Sequence, residues 1–287
     1  MSKNMKSISP ARIVGALLNT LASVAPKWAA RIAFYLFGLP RHKRPKPVEE
    51  GFLATSDLHF EVIDGKKIAV YHWGFRGPVV LLAHGWESQA GRWRKVAPLL
   101  VQAGFQVIAA DAPAHGRSAG RRFTMLKYAD VLRALLQRYG PVDAIIGHSV
   151  GGAASIWAMG TISPALRPKR AVILASFSAL QTIMDSARKS TGACDTLMAA
   201  LDRHIEKVTG ARIEHYSLAR IAEKLGEVEA LLIHDRHDRV TDVRESEILH
   251  RAWPGSRLLA TEGYGHGLTA PQVVDTVLEF VYQDVIC

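Results

Sequence analysis

An α/β fold, with a mostly parallel twisted sheet covered by helices on both faces, is predicted by three observations. From residue 78 onward, short runs of Val, Ile, Leu and Ala alternate with longer amphipathic segments, the pattern of buried strands joined by helices. The apolar run Ala144-Ile145-Ile146 passes into Gly147-His148-Ser149-Val150-Gly151 and then into small residues up to Met159, so a strand must reverse sharply into a helix. The 287 residues are 48% hydrophobic, enough to bury a large core as one domain with an insertion.

Each element follows from local pattern. His59–Ile63 and Lys67–Tyr71 flank Asp64-Gly65, which predicts a hairpin with a type I′ turn. Strands are expected at Pro78–Ala83, Gln106–Ala110, Asp143–Gly147, Ala171–Ala175, Val228–Ile233 and Arg257–Thr261. Helices are expected at Arg92–Ala103, at Thr124–Tyr139 and at Pro271–Val285 as the closing element. Met125, Tyr128, Val131, Leu132 and Leu135 line one face of the second of these.

Between residues 178 and 227 the alternation gives way to helices near Asp195–Val208 and Ser217–Leu225, with Asp195 and Ser217 as expected N-caps. A helical cap there would lie over the C-terminal strand ends, where open α/β sheets bind ligands. The expected organisation is an N-terminal helical extension and basic linker over 1–49, core over 50–177, cap over 178–227, and core again over 228–287.

The formal charge of +10 is concentrated at the start: residues 1–50 carry nine Lys/Arg against two Glu. A nucleic-acid protein would carry its basic residues across the folded surface among aromatic or polar readers, so nucleic acid is not expected as a partner. Cys194 and Cys287 lie far apart and show no zinc spacing, which is compatible with a reducing, cytoplasmic setting. The extension contains two apolar stretches. Ile13, Leu17, Leu21 and Val24 recur at helical spacing, Pro26 interrupts, and Trp28, Ile32, Tyr35 and Leu36 line a second helix. Each is shorter than the ~20 residues needed to span a bilayer. A basic run, Arg41 to Lys46, follows. Three readings stand: a hairpin packed on the domain, peripheral membrane contact through residues 8–46, and a secretory signal, against which Pro26 directly after Ala25 speaks.

Five features carry the chemistry, in this order. His84-Gly85-Trp86 ends one strand and Asp111 to Ser118 ends the next. Ser149 sits on the G-x-S-x-G turn. His234-Asp235-Arg236-His237-Asp238 ends the strand after the insertion, and Gly263-Tyr264-Gly265-His266-Gly267 follows the last strand. With these residues the chain resembles the α/β-hydrolase superfamily over about residues 57–287, in the order Ser, Asp, His. The N-terminal hairpin and the wording HGWES, DAPAHGRSAG and HDRHDR resemble a bacterial subgroup of serine esterases with a helical extension.

A serine hydroxyl is a weak nucleophile and needs an imidazole to take its proton. His266 is the expected base. An acid must hold that imidazole in the useful tautomer. Asp238 fits the family spacing, Asp235 competes, and Asp242 lies further beyond the strand end. The resemblance further implies oxyanion donors at the N–H groups of Trp86 and Val150. His84 and His115 are expected to order loops, His148 to pack beside the pocket and Asp111 to cap its own loop. His234 and His237 lack a third ligand at metal spacing, so neither metal nor cofactor is expected.

These readings combine into a cofactor-independent serine hydrolase of the carboxylesterase or lipase type. The expected substrate is a small ester with an apolar acyl group, met by Leu197, Met198, Leu201, Ile205 and Val208 of the cap unless these pack onto the core. The alternatives are a non-turnover ligand-binding or signalling protein on a hydrolase scaffold, and a membrane-surface lipid hydrolase.

Overall fold

The computed structural model describes residues 9–41 and 45–283. The middle of the basic run, and Cys287, therefore lie outside the described residues. In chain order the elements open with α1 (Pro10–Val24), α2 (Pro26–Phe37) and α3 (Pro47–Leu53). Strands β1 (Asp57–Ile63), β2 (Lys66–Trp73) and β3 (Val79–Ala83) follow, then a 3₁₀ segment at Ala90–Lys95, α4 (Ala97–Gln102) and β4 (Gln106–Ala110). The central part holds α5 (Met125–Tyr139), β5 (Val142–His148), α6 (Val150–Thr161) and β6 (Arg170–Leu174). Helices α7 (Leu180–Thr191), α8 (Asp195–Thr209) and α9 (Leu218–Ala222) come next. The chain closes with β7 (Glu229–Asp235), α10 (Val243–Ala252), β8 (Arg257–Thr261) and α11 (Pro271–Tyr282).

The strands form one eight-stranded sheet in the order β1-β2-β4-β3-β5-β6-β7-β8. Strand β2 runs antiparallel to both β1 and β4, and every pairing from β4 across to β8 is parallel. Asp64 and Gly65 both take positive φ, 48° and 67°, as the I′ turn requires. The inner strands are buried along their length: β3, β5 and β6 expose none of their residues. Strand β3 lies between β4 and β5, so the chain leaves it in opposite directions, the topological switch where such sheets place their sites.

The sharp reversal after β5 distributes its conformational demands unequally. Ser149 itself takes φ 54° and ψ −123°, a region L side chains rarely adopt. The flanking glycines have a different use. A Cβ on Gly151 would lie 2.3 Å from the Ala83 carbonyl oxygen and 2.4 Å from that of His84. One on Gly147 would lie 2.6 Å from the Gly152 Cα. Here glycine permits α6 to sit directly against β3 and β5. Gly151→Ala is expected to cost about 2–3 kcal/mol through this overpacking, read as a lower urea midpoint at unchanged slope.

Two sequence expectations are corrected. The single helix expected at Arg92–Ala103 is a 3₁₀ segment followed by a short α-helix, because Pro98, with no N–H to give, fits only the first turn of a new helix. Helix α8 is capped at Cys194, and Asp195 opens its first turn, where it pairs with Arg188 of α7 at 2.5 Å. Ser217 stands directly before α9 and forms an isolated bridge with Ala179.

The chain divides into two compact units. Residues 9–39 and 179–217 form a helical unit; the sheet, α3 to α6 and α9 to α11 form the other. Inside the helical unit α1 packs on α2, α7 and α8, and α2 packs on α8. Leu197 and Met198 lie against Ala22 and Ala29 in that unit's own core.

Candidate active site

Four loops of the sheet unit bring the chemistry together: those following β3, β5, β7 and β8. Ser149 opens α6 directly after β5 and is buried. Its N–H donates to the Leu174 carbonyl at 2.8 Å, and its carbonyl accepts from Ser176 Oγ at 2.9 Å. These bonds hold the strained turn against β6. A Cβ on Gly85 would lie 2.6 Å from His148 Nδ1 and 3.3 Å from Ser149 Cβ, so the loop after β3 sits immediately beside the serine.

Asp238, in the loop after β7, meets His266, in the loop after β8, with Oδ2 2.7 Å from Nδ1. The carboxylate is fully buried and the imidazole partly exposed. Burial opposes ionisation of Asp238, but bonds from His234, His266 and the Val240 N–H hold its carboxyl well below the usual carboxylate range. The Val240 N–H donates to Oδ1 at 2.7 Å. Thr241 Oγ1 lies 3.1 Å from Oδ2, 3.2 Å from the Ala175 carbonyl and 3.4 Å from His266 Nδ1. Among the described residues no hydrogen bond joins Ser149 Oγ to His266, a looseness common in unliganded sites of this kind.

The competing carboxylates are otherwise engaged. Asp235 accepts from the His237 N–H at 2.9 Å, the Tyr264 N–H at 2.7 Å and Thr261 Oγ1 at 3.1 Å, tying the loop after β7 to the loop after β8. Asp242 caps α10 by accepting from the Arg244 N–H at 3.0 Å. Asp111 is fully buried and accepts from Tyr71 OH, the Ala90 N–H and the Arg117 N–H, each at 2.8 Å.

The other histidines are framework. His84 gives Nδ1–H to the Gly85 carbonyl at 2.8 Å and accepts the Ala112 N–H at Nε2, 2.9 Å. Burial pushes its pKa down to about 4. His115 accepts the Glu87 N–H at 3.1 Å and donates to the Pro113 carbonyl at 3.1 Å; burial again pushes it down to about 4. Its ring meets Trp86 edge-on, with centroids 5.3 Å apart. Trp86 is 38% exposed, and among the described residues neither its N–H nor that of Val150 makes a hydrogen bond. Glu87 holds a bidentate pair with Arg41.

A clamp that sequence reasoning did not find holds the His266 loop by its carbonyls. His148 Nε2–H donates to the His266 carbonyl at 2.8 Å, Arg92 Nη2 to Gly267 at 3.0 Å, and Lys95 Nζ to Thr269 at 2.9 Å. Burial, reinforced by the Arg92 charge, holds His148 well below the ordinary imidazole value, so it stays neutral and keeps one donor for that carbonyl. His234, fully buried, bonds Ser246 Oγ at 2.7 Å and lies 3.3 Å from Asp238. No sequence motif signals these roles, because three of the acceptors are main-chain carbonyls distant in the chain.

The mostly parallel sheet with its switch point at β3 is that of the α/β-hydrolase fold. Residues 78–191 match the family described as alpha/beta hydrolase fold. The chain is 38% identical over 92 residues to the non-heme haloperoxidase of Rhodococcus erythropolis, covering 31% of this chain and 33% of that protein. It is 36% identical over 93 residues to a bifunctional esterase/perhydrolase of Acinetobacter calcoaceticus, covering 31% and 34%. It thus spans about a third of the length of these curated relatives. Among solved structures, Est1E of Butyrivibrio proteoclasticus, with ferulic acid bound, superposes with a TM-score of 0.63 at 17% identity, over 80% of this chain and 100% of that one. The chain has the α/β-hydrolase fold, and over residues 78–191 it resembles the family of that name.

Proposed function

We propose that this protein is a cofactor-independent serine hydrolase acting on a carboxylic ester. Ser149 Oγ attacks the ester carbonyl while His266 takes its proton. The tetrahedral oxyanion is held by the N–H groups of Val150 and Trp86. His266 then gives the proton to the leaving alcohol, and water, activated by His266, releases the acyl group and restores the serine. Asp238 orients His266 and stabilises its cation. The observation carrying this reading is the 2.7 Å contact between His266 and a buried, ionised Asp238, in the unit that also holds Ser149 in a strained turn. The esterase relative and the esterase-like fold support the ester as substrate class.

We assign residues 179–217 the role of cap on the strength of their insertion between β6 and β7.

The deciding experiment is turnover of p-nitrophenyl esters of graded acyl length, with an alkyl fluorophosphonate to trap the nucleophile. Covalent mass on the Ser149 peptide and steady turnover support the reading; labelling elsewhere, or ester binding without turnover, rejects it. The carbonyl clamp adds a further expectation. His148→Phe keeps the bulk of the ring but leaves the His266 carbonyl unheld. It should lower kcat by about 10–100-fold through misplacement of the base with KM little changed. An equal rise in KM at unchanged kcat would assign His148 to substrate contact instead.

A further inference from the structure

We propose that the α1–α2 hairpin docks on an anionic lipid surface. Its helices are packed by their small residues together with Leu18 and Leu21, and most of their other large apolar residues stay exposed. In α1, a Cβ on Gly15 would lie 2.0 Å from the Thr191 carbonyl oxygen, so α1 approaches α7 by its bare backbone. Ala22 and, in α2, Ala29 are buried beside Ala193 and Leu197. Asn19 locks this arrangement: its Nδ2 donates to the Gly192 carbonyl and its Oδ1 accepts the Cys194 N–H, both at 2.9 Å. The hairpin therefore satisfies its packing without Ile13, Leu17 and Val24.

Those residues are left outside. Ile13, Leu17 and Val24 recur at helical spacing on the side of α1 opposite Gly15 and Ala22, and are 51%, 67% and 81% exposed. Trp28, Ile32, Tyr35 and Leu36 recur likewise on α2 and are exposed too. A run of large exposed apolar side chains of this kind marks an interaction surface.

Charge selects the partner. Residues 1–48 contain nine Lys/Arg and no Asp or Glu. Lys27 and Arg31 flank the apolar stripe of α2, and the Arg31 guanidinium lies 4.8 Å from the centroid of the Trp28 ring. A second copy meeting this face by two-fold symmetry would bring like charges together; an anionic headgroup layer compensates them. Trp28 and Tyr35 suit the headgroup boundary, where amphipathic rings collect. Among the described residues no helix is long and apolar enough to cross a membrane, so the hairpin lies along the surface with its apolar stripe inserted.

The test is flotation of the full chain with vesicles of phosphatidylcholine, alone or containing phosphatidylglycerol. Two variants accompany it, Leu17→Gln/Trp28→Gln/Ile32→Gln and Lys27→Glu/Arg31→Glu, each checked for unchanged circular dichroism and melting. Wild type is expected to float with the anionic vesicles, to remain lipid-free with neutral ones, and to be released by high salt. The apolar variant should lose at least tenfold in recovery, and each lost positive charge about fivefold. Wild type that stays lipid-free with anionic vesicles overturns the proposal, as does an apolar variant that floats like wild type. A dimer by light scattering that the apolar variant dissociates, with no flotation of wild type, overturns it in favour of a chain–chain interface.

Discussion

Ser149→Ala is expected to lower ester turnover by a factor of about 10⁴ or more while leaving the protein folded. The hydroxyl is the only group removed, and among the described residues its Oγ makes no hydrogen bond that stability would miss. Its backbone bonds to Leu174 and Ser176 survive the change. Alanine carries a Cβ, so the positive-φ strain at φ 54° is retained and the unfolding free energy should shift by less than about 1 kcal/mol. Ser149→Gly separates the two roles of this position. It is equally unable to attack a carbonyl, but glycine reaches this conformation without a Cβ penalty, so it should melt above Ser149→Ala. Residual rate from the N–H groups of Val150 and Trp86 can remain in both. The measurements are kcat on a p-nitrophenyl ester and the melting temperature of each variant. Turnover in Ser149→Ala above a tenth of wild type would remove Ser149 as nucleophile, and a glycine variant less stable than alanine would remove strain from the account.

The sheet was readable from sequence because strands buried on both faces are written as unbroken apolar runs. Val79–Ala83 and Ala144–Ile146 have no other use for so many consecutive aliphatic side chains. Short polar elements were not readable. Helix α3 has seven residues with Glu49 and Glu50 in its first turn, too few turns for a period to show. Helix α10 buries only Ser246 and Leu249, so its apolar face is nearly blank; its one local signal is Asp242 as N-cap. Its Glu245 accepts from the Ser178 N–H and Oγ at 2.8 and 2.6 Å, a contact that local spacing does not contain.

The N-terminal hairpin shows a different limit. Both helices were visible from their period, yet the period of large residues does not say which face packs. Gly15, Ala22 and Ala29 carry that information, and small residues leave a faint trace in a hydropathy pattern. Among the candidate site residues, Ser149, His266 and Asp238 stand out in the sequence because order along the chain constrains them. Thr241, His234 and His148 were not, since they act on atoms reached only through the fold.

Asp238→Asn should lower kcat by about 10³–10⁴-fold at neutral pH with modest change in KM, whereas Asp235→Asn should act on stability instead. The two carboxylates sit three residues apart, Asp235 at the end of β7 and Asp238 in the loop after it, and their partners separate them. Asp238 spends Oδ2 on His266 at 2.7 Å; an amide there removes the charge that stabilises the imidazolium and can force the ring into the wrong tautomer. Asp235 spends its oxygens on the N–H groups of His237 and Tyr264 and on Thr261. Its replacement leaves at least one N–H poorly paired, at about 1–3 kcal/mol, without touching the base. Acid unfolding supplies an independent readout. Because the folded-state pKa of Asp238 is depressed, its contribution to stability is present above its unfolded value, about 3.9, and is lost as pH falls through the folded value. Asp238→Asn should therefore flatten the acid limb of the stability profile as well as abolish turnover. Near-normal kcat in Asp238→Asn together with lost turnover in a folded Asp235→Asn would transfer the acid role to Asp235.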